Sequence, residues 1–409
     1  MNRNDCLGDA SLSPTCSLRI LPRLPQRPSV PLFLVIALGV FFFGYQNSVS
    51  AGLTILHSFG DGSVTNDGAY PSAGLIRVSG NFYGVTARQA QSPSSQDGTV
   101  FEMTSADKLS VIYSFPSNSF LFSNAPLLLY HGKLIGVTPF GPGSTGTGTL
   151  FALRQIPSTG QWRSSFWQQN LGPAGNVILG SDSFFYGVVG GFPGSVYKVD
   201  PKTHQLTTVY SFSIAGNYIP GPGLVEGSDG NFYGTTNRVA GLQYQWGAIF
   251  KLTPGGQATF SQFGGLEGTG PMIKASDSNL YGLGATFNDI GTESSGFVYS
   301  LSSTGSINVL HSFGQGTDGY FPVGSLVQGP NGNLYGVTGQ GGTAGFGVIF
   351  EISTNSSTYT ILHNFGDGSV ANDGKDPVGP LVVGKDKNLY GTTTAGGSAG
   401  LGTVFKITP

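Results

Sequence analysis

Cysteine is all but missing from this 409-residue chain: there are two, Cys6 and Cys16, and both precede the chain's one strongly apolar run. A domain built from the residues after that run has no thiol, which excludes disulfide staples, cysteine-held metals and a cysteine nucleophile. Charge is scarce as well, at 10% of residues, with 19 Lys and Arg against 21 Asp and Glu and a net charge of −2. No cation surplus remains to neutralise phosphates, so a nucleic-acid partner is excluded. Helical periodicity is absent after the N-terminal segment, as are the phosphate-binding loop and the His-Glu-x-x-His metalloprotease signature. The lack of charge does not signal disorder, because 39% hydrophobic and 12% aromatic residues supply a sizeable core. What abounds is glycine, 66 residues, with Phe, Tyr, Val and Thr: the composition of short strands and tight turns.

The first 51 residues read as a secretory signal. Arg3, Arg19, Arg23 and Arg27 lie ahead of the uncharged stretch Pro31 to Phe43, PLFLVIALGVFFF, and Val49-Ser50-Ala51 places small side chains where a signal peptidase inspects them. The apolar stretch falls short of the roughly 20 residues of a comfortable membrane span. An uncleaved anchor is the competing reading, and the only one that brings a membrane into play.

The remainder, 52–409, is self-similar. Phe82-Tyr83-Gly84 recurs as Phe185-Tyr186-Gly187, Phe232-Tyr233-Gly234, Leu280-Tyr281-Gly282, Leu334-Tyr335-Gly336 and Leu389-Tyr390-Gly391, with Leu134-Ile135-Gly136 as a degenerate copy. A second anchor follows each, ending in Phe101, Phe151, Tyr197, Phe250, Tyr299, Phe350 and Phe405. A third ends in Phe59, Phe115, Phe212, Phe263, Phe313 and Phe365, with Ser164-Ser165-Phe166 as its altered copy. Seven units of about fifty residues, each parsing into four short strands, are the pattern of propeller blades. In the fourth unit the strands are Gly223 to Glu226, Phe232 to Thr236, Ala248 to Leu252 and Ala258 to Phe263, separated by Asp-Gly and Gly-Gly turn signals.

The chain after the signal opens on a fourth-type strand, Leu53 to Phe59, and closes on a third-type strand, Thr403 to Thr408. Pairing them completes the last blade and removes two exposed edges. The expected fold is therefore all-β: a seven-bladed β-propeller of four-stranded antiparallel blades, closed by the N-terminal strand and monomeric. Glycine inside a strand implies close approach by another group. Here that group is expected to be an aromatic ring from the next blade, so that the aromatic anchors serve inter-blade packing.

The last unit resembles the Gloeo/Verruco tandem repeat, GloVer. The resemblance is carried by Leu362-His363-Asn364-Phe365, Asp373-Gly374, Gly379-Pro380-Leu381, Asn388-Leu389-Tyr390-Gly391-Thr392-Thr393, Gly396-Gly397 and Gly402-Thr403-Val404-Phe405-Lys406-Ile407-Thr408. It extends over 53–409, strongly in units one, four, six and seven and weakly in two and three. It implies an exported or surface protein with no established activity. No C-terminal sorting segment follows, so free secretion or retention by the N-terminal segment is expected.

The parse also sorts the loops. Connections between strands one and two and between three and four are short and share one face; the others are long and share the opposite face, where binding is expected. On that face lie Arg88, Asp97, Tyr218, Arg238, Tyr244, Trp246, Asp289, Glu293 and Tyr320, together with Phe140 and Lys375, a mixture suited to an extracellular carbohydrate or protein. No catalytic, cofactor or metal residues are assigned. The near-identical loops Gly60 to Gly68 and Gly366 to Gly374 are rich in oxygen donors, yet they lack the calcium-loop spacing and read as turns. His57, His311 and His363 share a repeat position in different blades, and with His131 and His204 they read as structural. The alternatives to a binding platform are a carbohydrate-active lyase or hydrolase using acidic residues at the channel mouth, among them Asp97, Asp289, Glu293 and Asp318, and a purely structural surface repeat.

Overall fold

The computed structural model describes residues 52–89, 97–116, 125–139, 148–169, 171–172, 175–191, 193–213, 218–237, 247–262, 267–287, 293–314 and 317–409. All regular structure among them is β. Seven antiparallel sheets follow one another as blades: blade 1 spans 69–114, blade 2 128–169, blade 3 178–211, blade 4 219–262, blade 5 267–313, blade 6 320–364 and blade 7 374–407. Leu53–Ser58 pairs antiparallel with Thr403–Ile407 and is the outer strand of blade 7, with Leu53 opposite Ile407 and Ser58 opposite Thr403.

The seven-bladed arrangement is visible in the packing as well as in the pairing. Seven buried clusters each join two successive blades. Phe151 and Leu134 of blade 2 pack with Tyr83 and Phe115 of blade 1, and Tyr197 of blade 3 packs with Ile135 of blade 2. The cluster containing Phe59, Tyr390 and Val404 of blade 7 with Leu75, Phe82 and Phe101 of blade 1 joins the last blade to the first. Apolar burial is therefore distributed over seven equivalent seams, with no single central core.

The second-strand glycine of each blade shows why glycine is required. The seven glycines, Gly84, Gly136, Gly187, Gly234, Gly282, Gly336 and Gly391, sit directly opposite the seven second-anchor aromatics on the third strand. A β-carbon at any of them would overlap that ring. The crowding group thus comes from the same blade and not, as expected from the sequence, from the next one. The ring lies across the glycine because the third strand is its hydrogen-bonded neighbour, a cross-strand aromatic rescue of glycine.

The third anchor needs a correction in blade 2. Phe59, Phe115, Phe212 and Phe365 each donate their backbone N–H to the glycine ahead of their blade's third strand. In blade 2 that bond is made by Leu171, to Gly148 O at 3.0 Å, and Leu171 is buried. Phe166 instead pairs with Phe151 inside an outer strand that runs from Trp162 to Gln169. In blade 4 the first strand is Ile219–Glu226, longer than the parse, because an irregularity between Pro220 and Leu224 lets pairing resume past Gly221-Pro222-Gly223.

The tyrosine hydroxyls are latched by carboxylates from two sources. In blades 3, 4, 5 and 7 the aspartate four residues earlier accepts the bond: Tyr186–Asp182 2.7 Å, Tyr233–Asp229 2.8 Å, Tyr281–Asp277 2.7 Å and Tyr390–Asp386 2.8 Å. The same aspartates close the turn through a backbone N–H two residues on. In blades 1 and 6, where that turn position is Ser79 or Asn331, a third-strand glutamate substitutes: Tyr83–Glu102 2.6 Å and Tyr335–Glu351 2.8 Å. Blade 2 has Ile135 in place of tyrosine, and neither carboxylate position, His131 nor Ala152, is acidic.

These latches set a pH dependence. Burial and the Glu102 carboxylate push the Tyr83 phenol up to about 12, and burial with Asp277 does the same to Tyr281. Burial acts to raise Asp229, but hydrogen bonds from Lys251, Asn231 and Tyr233 outweigh it and hold the carboxyl well below its usual range. Asp277 and Asp386 are lowered in the same way by their tyrosines and asparagines. A lowered folded-state carboxyl stabilises above its unfolded pKa of about 4, and that contribution is lost as pH falls through the folded value. A raised phenol stabilises below about 10 and loses its contribution as pH rises through the folded value. The urea midpoint is accordingly expected to be flat from about pH 7 to pH 9 and to fall below about pH 4, with a shallower acid limb in an Asp277→Asn, Asp386→Asn variant.

Two blades carry an avoidable cost. Tyr197 and Tyr299 occupy the position that is Phe in the other five, and their hydroxyls are buried with no partner. Their neighbours on the inner strand are Val177 and Met272, where blades 1, 2, 4, 6 and 7 have leucine. Tyr197→Phe and Tyr299→Phe are each expected to stabilise the fold by about 1 kcal/mol in denaturant titrations, since each removes an unsatisfied buried hydroxyl.

Candidate functional site

The long-loop face is held at its base by threonine. In the sequence Tyr-Gly-x-Thr, the threonine ends the part of the second strand from which the long loop departs. Its hydroxyl accepts the N–H of the residue that starts the third strand: Thr99 N to Thr86 Oγ1 3.0 Å, Ala248 N to Thr236 Oγ1 2.8 Å, Val348 N to Thr338 Oγ1 3.1 Å and Thr403 N to Thr393 Oγ1 3.1 Å. All four threonines are fully buried, so both feet of the loops in blades 1, 4, 6 and 7 are fixed.

The twin loops flank the outer edge of blade 7 and fold alike. Asp61 and Asp367 accept the N–H of Ser63 and Ser369, both at 2.8 Å. Asp67 Oδ2 accepts Gly60 N at 2.9 Å and meets His57 Nε2 at 2.8 Å; Asp373 Oδ2 accepts Gly366 N at 2.7 Å and meets His363 Nε2 at 3.0 Å. Asn66 and Asn372 both adopt φ near +54°, the left-handed region asparagine tolerates. His57, Asp61 and Asp67 bring ligating atoms within 4.8 Å of one another. Backbone donors and the histidine already engage Asp67, and the same bonds recur in the second loop, so turn chemistry accounts for the arrangement. The loops border a groove of about 640 Å³ along Leu53–Ser58, with Val370, Ala371, Asn372 and Ser398 on its other side.

His311 belongs to a looser version of this clasp. Its Nε2 lies 3.6 Å from Asp318 Oδ2 while its ring stacks on Tyr359 at 3.8 Å. Burial pushes the imidazole down from its ordinary pKa, against the pull of Asp318. His204 stacks on Trp167 at 4.4 Å beside a short turn.

The residues singled out on the long-loop face divide into four groups. Arg88 ends the second strand of blade 1, its guanidinium 5.4 Å from the Tyr70 ring. Tyr218 stacks flat on Phe260 at 4.8 Å, Tyr320 opens the first strand of blade 6 opposite Gln340, and the Lys375 ammonium stands 4.1 Å from the Phe346 ring. Asp97 is 1% exposed and forms part of the packed interior. Glu293 begins the third strand of blade 5, paired in register with Phe287. Arg238, Tyr244, Trp246, Asp289 and Phe140 lie outside the described residues.

Gly396-Gly397-Ser398-Ala399-Gly400 matches the Gly-x-Ser-x-Gly pattern of a nucleophile elbow. It forms the loop between two antiparallel strands of blade 7, whereas the elbow needs a strand-to-helix turn. Ser398 N donates to Ser58 Oγ at 3.3 Å, tying this loop to the outer strand.

At the centre of the ring the inner segments of blades 3 and 4, and of blades 5, 6, 7 and 1, meet backbone to backbone. A β-carbon on Gly175, Gly270, Gly324, Gly379 or Gly74 would fall on the main chain of the neighbouring blade, at Pro222, Gly324, Gly379, Gly74 and Pro380 respectively. The resulting axial cavity measures about 300 Å³. Among the described residues, no acidic side chain lines it.

The Gloeobacter/Verrucomicrobia repeat profile matches three overlapping stretches, 39–239, 90–283 and 220–409. No curated protein sequence matches the chain. Among solved structures, a luciferin-regenerating enzyme is 15% identical over 69% of this chain and 90% of its own, with a TM-score of 0.45. A protein of unknown function from Bacteroides thetaiotaomicron is 13% identical over 87% of this chain and 75% of its own, TM-score 0.47. A Lactobacillus plantarum protein is 13% identical over 72% and 84%, TM-score 0.45. Likeness at this level carries no argument about activity.

The clasp gives a direct test of the twin loops. Asp373→Ala is expected to cost about 3 kcal/mol in denaturant titration, since it leaves His363 and a backbone donor buried without their partner. Asp367→Ala, which removes only an exposed turn bond, stays within about 1 kcal/mol, and added calcium chloride leaves the melting temperature of the unsubstituted protein unchanged.

Proposed function

We propose that this chain, which belongs to the Gloeobacter/Verrucomicrobia repeat family, is an exported, non-catalytic binding platform that holds an extracellular carbohydrate or protein on its long-loop face. The observation that carries this reading is the contrast between the two faces. On the short-turn face, aspartates and glutamates are tied to tyrosine hydroxyls and turn amides, and carboxylates so engaged are poorly placed for acid–base work. On the opposite face, threonine-clamped feet present long connections whose sequences differ from blade to blade, the usual geometry of a recognition surface on a rigid scaffold. Export is supported by the basic, apolar and small-residue order of residues 1–51.

Expression of the full coding sequence with glycan-array and pull-down screening of the secreted product tests the whole reading. The recovered protein is expected to begin at Gly52 and to capture a partner, with capture weakened about tenfold or more by Tyr244→Ala with Trp246→Ala. Asp289→Asn and Glu293→Gln, on the same face, are expected to weaken capture less than that pair does. Polysaccharide turnover that those two replacements abolish would establish the lyase or hydrolase alternative instead.

A further inference from the structure

All seven blades contribute to the axial cavity, through 72–73, 125–126, 175–176, 222, 269–271, 323–325 and 378–380. None of these residues is charged, so an ionic ligand would have to shed its hydration with no counter-charge to meet it. Pro126, Pro222, Pro271 and Pro380 are among the residues that line the cavity and have no N–H to donate. The wall is thereby uncharged and apolar in part.

Two side-chain oxygens on this wall lack partners: Asn176 Oδ1 in blade 3 and Thr269 Oγ1 in blade 5. They stand on either side of blade 4, whose first strand reads Ile219-Pro220-Gly221-Pro222-Gly223 and so has no N–H at two of its positions. Asn176 Oδ1 is packed toward the α-carbon of Gly223, which leaves no space for a side chain there. Both residues are half-buried. The two oxygens are themselves buried, so a ligand donor in the cavity satisfies one only after a turn about the terminal torsion of Asn176 or a rotamer change at Thr269.

We propose that the axial cavity is a binding site for a neutral polyhydroxylated ligand of monosaccharide size, whose hydroxyls donate to Asn176 and Thr269 while its C–H faces rest on the proline rings. Its volume of about 300 Å³ suits one sugar ring, at the small end of ligand cavities. The site lies on the first strands and does not depend on the long-loop reading; either stands if the other fails.

Saturation-transfer NMR on the full chain with D-glucose, D-galactose, D-mannose, D-xylose and the charged control D-glucuronate tests it. At least one neutral sugar is expected to bind, glucuronate is not, and Asn176→Leu with Thr269→Val weakens binding about tenfold or more without lowering the melting temperature. Tyr244→Ala with Trp246→Ala leaves this binding unchanged, which separates it from capture on the loop face. Should the double replacement fail to fold, the near-isosteric Thr269→Val alone is expected to weaken binding about threefold or more. Absence of transfer to every neutral sugar, meaning a cavity that holds only water, overturns the proposal. So do equal binding by glucuronate and undiminished binding by folded variants.

Discussion

The structure depends on one contact repeated seven times: an aromatic ring of the third strand laid across a glycine of the second. Because the glycine has no β-carbon, the ring lies close against its own sheet and still reaches the seam with a neighbouring blade. Phe101, Phe151, Tyr197, Phe250, Tyr299, Phe350 and Phe405 are all buried to 1% exposure or less. The seams, and through them the ring of blades, follow from that placement. With no cysteine after Cys16 and few ion pairs among the described residues, dispersion and apolar burial along these seams are what hold the blades together.

Polar chemistry is used sparingly and locally. The tyrosine bodies join the seams while their hydroxyls turn back to a carboxylate of their own blade, the amphipathic use to which tyrosine is suited. Histidine works similarly where a blade ends. His57 and His363 bury an apolar ring edge-on against Phe59 and Phe365 and hold the connecting loop by an aspartate. Among the described residues a chain with so little charge thus satisfies most of its buried polar groups, with atoms of Tyr197, Tyr299, Asn176, Thr269, Asn237 and His311 among the exceptions.

Much of this was legible in the amino-acid order because the constraints are local and periodic. Tyr-Gly, the following aromatic and the Asp-Gly turns located the strands of blade 4 nearly to the residue at their inner ends. What escaped was what periodicity does not encode. Leu171 went unnoticed because an apolar side chain of another shape does the work of phenylalanine, and only the bond to Gly148 reveals the equivalence. The carboxylate latch was hidden because it draws on two positions far apart in sequence, Asp229 in one blade and Glu102 in another. The loop face was the least legible. Alternation says where a loop leaves the sheet but nothing of its path, so Asp97, assigned to an open surface, is interior.

Every latch has both partners inside one fifty-residue unit, whether the acid lies four residues before the tyrosine or on the strand that follows it. Duplication of such a unit in the gene copies donor and acceptor together, so a new blade arrives with its hydroxyl already satisfied. The glycine neck is different, since each backbone there is fitted to the strand next door. Growth or loss of a sector would leave the latches untouched and alter the bore.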